Sequence, residues 1–407
     1  MTQATKASSS TTAPEAGLAR QRAWVEVDTE AISANARNLK RCIGAHTSLM
    51  AVVKADGYGH GSIPVARAAL AGGASQCGVA TLAEGIELRR AGIEAPILVM
   101  GSLTQVEELR NCLHWQLMPT ISGMREALLC QNLASDQGQA MALQLKLDTG
   151  MARLGVDWQE GPRLAAAIAE LEAVQLAGVY SHLASADAAP EADDGLTTQQ
   201  QQRFDTVLRA LHQQGLNGGS RHLANSAGTL RSAGLHYDLV RVGLSLYGHS
   251  PAPHLAGAIP LQPAMTLHAR VSLIREVGAG VGVSYGHRFR TSRPSRLAVV
   301  GIGYADGVPR QLSNQLEVLF AGQRLPQVGA ITMDQLVLDT TDCPALEVGS
   351  VVTLLGQDGG EHITPTDWSD RCQTIPWEIL CGFKHRLPRL TAAQAAWEGE
   401  SSNDGAH

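Results

Sequence analysis

The chain of 407 residues carries no excess of positive charge: 32 lysines and arginines stand against 38 acids, a net charge of −6. With no basic patch and no block of like charge, nothing invites nucleic acid or a membrane surface, and a small molecule is the expected partner. Runs of about 18 to 20 apolar residues, the length of a membrane span, are missing as well. Seven cysteines (42, 77, 112, 130, 343, 372 and 381) include no CxxC pair and no metal-type spacing with histidine. That argues against a metal centre or a disulfide framework and for a reduced, cytoplasmic setting. The first twenty residues, rich in Ser, Thr and Ala, lack the continuous apolar stretch of a secretory signal. Residues 1–21 and 393–407 are expected to be disordered tails.

What is present is a 44% hydrophobic composition, enough for a packed core, spread over a length that suggests two domains. Residues 22–28 (RAWVEVD) alternate as a strand, and a helix follows with Ile32, Ala36, Leu39 and Ile43 on one face. Short apolar strands then recur near 49–54, 77–81, 96–100, 117–121, 142–148, 176–183, 221–225 and 239–244. Amphipathic stretches, among them 63–72, 83–91, 122–133, 160–172 and 199–214, separate them. Eight such units across residues 29–250 predict a closed (β/α)8 TIM barrel. An open doubly wound sheet is the competitor, and the missing G-x-G-x-x-G turn weighs against it. Residues 251–263, with prolines at 251, 253, 260 and 263, read as a linker. Residues 264–392 form a mainly β domain in this reading, with little helical period before about 374, and strand 22–28 joins it because the barrel already has its eight strands.

The chemistry centres on Ala51-Val52-Val53-Lys54-Ala55-Asp56-Gly57-Tyr58-Gly59-His60-Gly61. A lysine at the end of a buried strand, followed by a glycine-rich turn, either snorkels to solvent or is held partly desolvated. In the second case its amine can act as nucleophile, Schiff-base former or base. After the seventh strand, Ser226 in His222-Leu223-Ala224-Asn225-Ser226 could donate to a phosphate together with backbone amides at a helix start, or be an ordinary helix cap. After the eighth, Arg241 precedes Gly243, a residue that allows close backbone approach. A guanidinium is permanently charged and does not hand a proton to a neighbouring base. Lys146 and Arg153 flank the fifth strand's end; two buried like charges there would favour conversion of the lysine to an anion. Tyr285 follows Val283-Ser284, and a phenol with a pKa near ~10 needs a neighbouring cation to serve as a base.

Taken together these strings, with Ser181-His182-Leu183, Gly303-Tyr304-Ala305-Asp306-Gly307 and Ile331-Thr332-Met333-Asp334-Gln335, resemble those of the alanine racemases over residues 22–392. The resemblance implies a two-base, pyridoxal phosphate (PLP) dependent racemisation of alanine that supplies D-alanine for peptidoglycan. Lys54 would carry PLP. Tyr58, Asn225, Ser226, Gly243 and Leu244 would surround its phosphate, Arg241 would meet its ring nitrogen, and His182 would pack on the ring. Tyr285 would be the second base, Arg153 would bind on the substrate side, and Lys146 would be carbamylated. Tyr285, Met333 and Tyr304 would reach the barrel of a second subunit, making a homodimer with shared sites. Two positions depart from the pattern: Thr332 replaces a common cysteine, and Trp377 a tyrosine whose hydroxyl would meet the phosphate. A serine or broad-specificity racemase, or a PLP carrier without turnover, are the alternatives.

Overall fold

The computed structural model describes residues 20–192 and 195–391. The expected tails lie outside the described residues, apart from Arg20, Gln21 and their continuation into the first strand. Two compact units emerge, one of residues 29–264 and one combining the chain's start with residues from 265 onward.

In the first unit the helix Thr29–Ile43 buries Ile32, Ala36, Leu39 and Ile43, the stripe expected of an amphipathic helix. With β1 at Ala23–Val27, the next strands are β2 (Ser48–Val52), β3 (Gln76–Val79), β4 (Ile97–Ser102), β5 (Met118–Ile121), β6 (Met141–Asp148), β7 (Val174–Tyr180), β8 (Ser220–His222) and β9 (Leu239–Val242). From β2 to β8 each pairs in parallel with its successor, and β9 pairs with β2, for example Arg241 opposite Met50. The seam between β8 and β9 is closed by flanking bonds: Asp238 N–H donates to Arg221 O at 3.1 Å and Arg241 N–H to Ala224 O at 3.0 Å. The result is a (β/α)8 barrel. Its interior is packed by Met50, Leu98, Tyr180 and Leu239, with Met100 and Met118 against them.

The proline-rich stretch is tied down rather than free. Asn35 donates to the carbonyls of Leu246 (3.1 Å) and Gln262 (2.8 Å) and accepts from Gln262 N–H at 2.8 Å.

The second unit is a sheet in which Ala23–Val27 lies antiparallel to Met265–Val277 (Val25 opposite Leu267) and parallel to Arg389–Thr391. Val351–Asp358 and Ser295–Val300 also pair with the long strand Met265–Val277. Helical structure begins earlier than the periodicity suggested, with Pro365–Cys372. Its signal is local: Thr364 and Asp367 form a reciprocal capping box around an N-terminal proline.

One ion-pair network fastens this unit. Asp306 is fully buried and takes both Nη groups of Arg22 (2.6 and 2.8 Å), Nε of Arg386 (3.3 Å) and the N–H of Gly303 (3.0 Å). Bonding to Asp306 raises the Arg22 pKa further. Arg22→Ala would leave a buried carboxylate with Arg386 as its one cation and Gly303 N–H as its remaining close donor, so we expect a loss of about 3 kcal/mol, read as a lower urea midpoint at unchanged m-value.

Candidate active site

Lys54 follows β2 at the barrel's C-terminal end, where functional groups of such barrels collect. The backbone after it turns left-handed: Ala55, Asp56, Gly57, Tyr58 and Gly59 all have φ between 51° and 81°. For the three residues with side chains this costs about 3 to 6 kcal/mol in total. Hydrogen bonds hold it in place, Gly57 N–H to Val53 O (2.9 Å), Gly59 N–H to Ala55 O (3.0 Å) and Gly61 N–H to Asp56 O (2.8 Å). Two carboxylates brace the ends. Glu84 accepts from Ala55 N–H at 2.8 Å, and Asp56 from Ser62 N–H at 2.9 Å. The turn delivers Tyr58 onto Tyr247, with ring centroids 4.8 Å apart, while Tyr247 Oη donates to Val52 O at 2.9 Å.

Tyr58 then reaches the end of β9, the strand paired with β2. A Cβ built on Gly243 would lie 2.4 Å from Tyr58 Oη, so a glycine is required there for the hydroxyl and the backbone to converge. Ser226 stands beside them. It is not the cap of its helix; Asn225 is, accepting from Gly228 N–H at 2.9 Å. Ser226 Oγ instead accepts from Gly243 N–H (3.1 Å) and Ser245 N–H (3.4 Å). With its lone pairs so engaged, the hydroxyl has its proton left to donate. Leu244 opens the short helix Leu244–Tyr247 at the same corner. The Tyr58 and Ser226 hydroxyls, gathered where Gly243 allows close backbone approach and Leu244 starts its helix, suit an anion.

Arg241 is buried inside β9 rather than following it. Nη1 donates to His222 O and His222 Nδ1 (both 3.1 Å). Nη2 donates to Ser181 O (2.7 Å), His182 Nδ1 (3.2 Å) and Leu223 O (3.2 Å). Because arginine only donates, both imidazoles must present an unprotonated Nδ1. His222 passes its Nε2–H to Gln144 Oε1 at 3.0 Å. Burial first, and the Arg241 charge second, hold both histidines well below the usual imidazole range. Burial brings Arg241 itself down to about 10, so it stays a cation at neutral pH. Its Nη hydrogens are spent on protein acceptors, whereas Nε–H makes no hydrogen bond among the described residues.

Beneath lies Tyr180, stacked on His222 at 4.7 Å with an angle of 3° and bonded through Oη to Thr120 Oγ1 at 2.7 Å. Burial pushes its phenol up to about 12. The Nζ of buried Lys146 sits 4.1 Å from the centre of that ring. Burial, then the charges of Arg241 and Arg153, hold this amine well below the ordinary lysine value of 10.5. A folded pKa below the unfolded one means that the unfolded chain binds the extra proton. Stability from this site is therefore complete above 10.5 and declines as pH falls toward the folded value. We expect the stability of wild type relative to Lys146→Met, compared in CO2-free buffer by thermal unfolding, to rise with pH toward 10.5, the comparison cancelling the opposite slope of the buried thiols.

Beyond β6, Asp148 Oδ1 accepts from the N–H groups of Gly150, Met151 and Ala152 (2.8, 2.9 and 3.2 Å), shaping the loop that carries exposed Arg153. Buried Gln200 ties that loop to the next: it donates to Thr149 Oγ1 (3.3 Å) and His182 O (2.9 Å) and accepts from Ala184 N–H (2.8 Å). Thus Lys54, Tyr58, His182, Ser226, Arg241 and Gly243 gather at one mouth, with Lys146 and Arg153 beside them. Tyr180, His222, Gln144, Glu84 and Gln200 complete the arrangement, and sequence reasoning assigned them no role. Only His222 had a local signal, its place in the string that contains Ser226. A surface cavity of about 840 Å³ elsewhere, lined by Asp205, Arg209 and Tyr237 among others, contains none of these groups.

In the second unit, Tyr285, Met333 and Tyr304 are exposed by 72, 52 and 40%, unusual for residues of this size and apolarity. Their loops are bound to one another. Ser284 Oγ donates to Ala330 O (2.7 Å), and the N–H groups of Tyr304 and Ala305 donate to the carbonyls of Thr332 and Met333 (3.0 Å each). Positive φ values at Ser284, Gly286 and His287 (59°, 72° and 44°) bend the chain around Tyr285. Half-buried Trp377 lies on the helix Pro376–Gly382.

Residues 27–251 match the family described as alanine racemase, N-terminal domain, and residues 264–391 match alanine racemase, C-terminal domain. An alanine racemase of Prochlorococcus marinus is 55% identical over 372 residues, covering 91% of this chain and 96% of its own. One from a Nostoc species is 50% identical, with the same coverage. Among solved structures, the alanine racemase of the D-cycloserine producer Streptomyces lavendulae superposes with a TM-score of 0.85 at 38% identity, covering 91% and 97% of the two chains. That of Bartonella henselae, solved with covalently bound pyridoxal phosphate, does so at 0.80 and 32%, covering 91% and 99%.

Proposed function

This chain belongs to the alanine racemase family, and from that premise we propose that it interconverts L- and D-alanine with PLP as cofactor, supplying D-alanine for peptidoglycan. The observation that carries the reading is the meeting of Lys54, the Tyr58–Ser226–Gly243 anion cradle and the Arg241 donor at one barrel mouth. These residues fit the cofactor: the cradle its phosphate, with Leu244 and Asn225 at its edge, Arg241 Nε–H its pyridine nitrogen, Lys54 Nζ its aldehyde carbon and His182 a ring face. Among the described residues no cluster of potential metal ligands occurs, and none is invoked.

Bound PLP withdraws electrons from the amino acid and makes its Cα proton removable. The chain's own task is to move that proton. Lys54 Nζ takes or returns it on one face, and Tyr285 Oη does the same on the other. Two bases on opposite faces are what inversion needs. Arg153 supplies the cation that lets a phenol act as a base, and it holds the substrate side together with Met333 and Tyr304. We assign Lys146 as a carbamate, because a neutral buried amine between two guanidinium groups gains by becoming an anion.

The exposure of Tyr285, Met333 and Tyr304 supports a homodimer in which these loops complete the site of a second copy. The cysteines, scattered and without a CxxC pair, support a cytoplasmic location, and no helix among the described residues is long and apolar enough to cross a membrane. A serine racemase or a PLP carrier without turnover is not favoured, since the family match runs through both domains.

The test is circular dichroism of L-alanine and L-serine incubated with purified protein and PLP. The L-alanine signal should decay to zero, and kcat/KM for alanine should exceed that for serine by roughly tenfold or more, because Trp377 is a bulkier wall than tyrosine. Trp377→Phe should leave PLP affinity unchanged. A loss of about 1 to 3 kcal/mol would show instead that the indole donates to the phosphate.

A further inference from the structure

Glu84 lies outside every motif noted in the sequence, on the helix Leu82–Arg90 that follows β3. Its carboxylate does two separate jobs with its two oxygens. Oε2 accepts from Ala80 N–H (2.7 Å) and Thr81 N–H (3.0 Å), completing a capping box in which Thr81 Oγ1 accepts from Glu84 N–H at 3.3 Å. Oε1 reaches across to the neighbouring strand's loop and accepts from Ala55 N–H at 2.8 Å. Ala55 is the first residue of the left-handed stretch, one position after Lys54. The cap alone would be routine; the second oxygen is what makes Glu84 unusual.

We propose that Glu84 is a positioning residue for the cofactor-holding lysine: by fixing Ala55 N–H it keeps the left-handed turn wound and so sets the separation between Lys54 Nζ and Tyr58 Oη. The inference rests on the assignment of Lys54 and Tyr58 to the two ends of the cofactor. Those ends are separated by the ligand's own fixed length, so the protein groups that meet them must be held at a matching distance. The turn between them is built from residues in a disfavoured conformation, and unwinding it would change that distance. Within the turn the bonds run from Gly57, Gly59 and Gly61. Glu84 is the support that comes from another strand's loop, tying the ends of β2 and β3 together.

Glu84→Gln separates the two jobs. An amide has one accepting oxygen. Turned toward Ala80 and Thr81 it keeps the cap, and its NH2 then opposes Ala55 N–H. Thr81→Ala does the reverse, weakening the cap and leaving the Ala55 bond alone. Apo protein of each variant is titrated with PLP and followed by the visible absorbance of the lysine-bound cofactor and by thermal unfolding without PLP. Glu84→Gln should raise the PLP dissociation constant at least tenfold and slow formation of the absorbing species, with an apo Tm close to wild type. Thr81→Ala should lower the apo Tm and leave PLP affinity within about twofold. If the two variants behave alike, or if Glu84→Gln binds PLP as wild type does, the proposal is overturned. Borohydride reduction and peptide mapping of the wild type checks the underlying assignment independently: PLP on a lysine other than Lys54 would refute that reading, whatever Glu84 does.

Discussion

Lys54→Ala is expected to lose the visible absorbance of lysine-bound PLP and to cut alanine racemisation by about four orders of magnitude or more. Two functions disappear with one amine. The cofactor loses its covalent anchor, although the Tyr58–Ser226–Gly243 cradle remains to bind its phosphate, so PLP should still associate weakly. One of the two faces of Cα also loses its base, and a single remaining base can return the proton only to the side it came from. Steady-state racemisation followed by circular dichroism in both directions, with an absorbance titration alongside, measures both losses. Retention of the absorbance band and of turnover would remove Lys54 from the site. The neighbouring Glu84 and Asp56 brace the turn through backbone N–H groups, so the Lys54 side chain can be removed without unwinding it.

A mixture of two dead proteins should come back to life. Lys54→Ala and Tyr285→Phe each lack one base. If Tyr285 serves the barrel of a second copy, a mixed dimer contains one site with both defects and one with neither. Random reassortment makes half of the dimers mixed, so activity should recover to about a quarter of wild type. Reassembly after mild denaturation, or co-expression with two purification tags, provides the mixed dimers. Activity that stays absent in proven mixed dimers would mean that each site draws both bases from one chain. The exposure of Tyr285, Met333 and Tyr304 is the physical ground for expecting recovery, because large apolar side chains with interlocked loops are costly to leave in water.

The barrel was legible because parallel strands buried on both faces read as unbroken apolar runs, as in Leu49–Val53 and the stretch from Ile97 to Met100. Less could be read of the geometry that turns candidates into a site. The left-handed φ values of Ala55, Asp56 and Tyr58 have no signature in residues that ordinarily avoid that region; only Gly57, Gly59 and Gly61 hinted at an unusual path. Tyr180, Gln144 and Gln200 are ordinary core or helix residues by pattern, and their parts depend on partners from tens of residues to nearly eighty away. Ser226 shows how a local rule can mislead. A serine at a helix start reads as a cap, yet Asn225, one residue earlier, takes that place and leaves Ser226 to the loop after β9. The helix Pro365–Cys372 is the opposite case: its capping signature was present and its short length hid the period.

The pairing of Ala23–Val27 with Met265–Val277 and Arg389–Thr391 has a consequence for how the protein is made. A ribosome delivers this strand first and its partners last, with the whole barrel in between. At about 5 to 20 residues per second, the strand waits roughly 10 to 50 seconds before its first partner is synthesised. During that interval an apolar edge, with Ala23, Trp24, Val25 and Val27 all destined for burial, is open to mispairing with other nascent chains. The barrel is in effect an insertion into the β domain. A separately expressed barrel should therefore begin at residue 29, since starting at residue 22 would carry along a strand parted from Met265–Val277 and Arg389–Thr391.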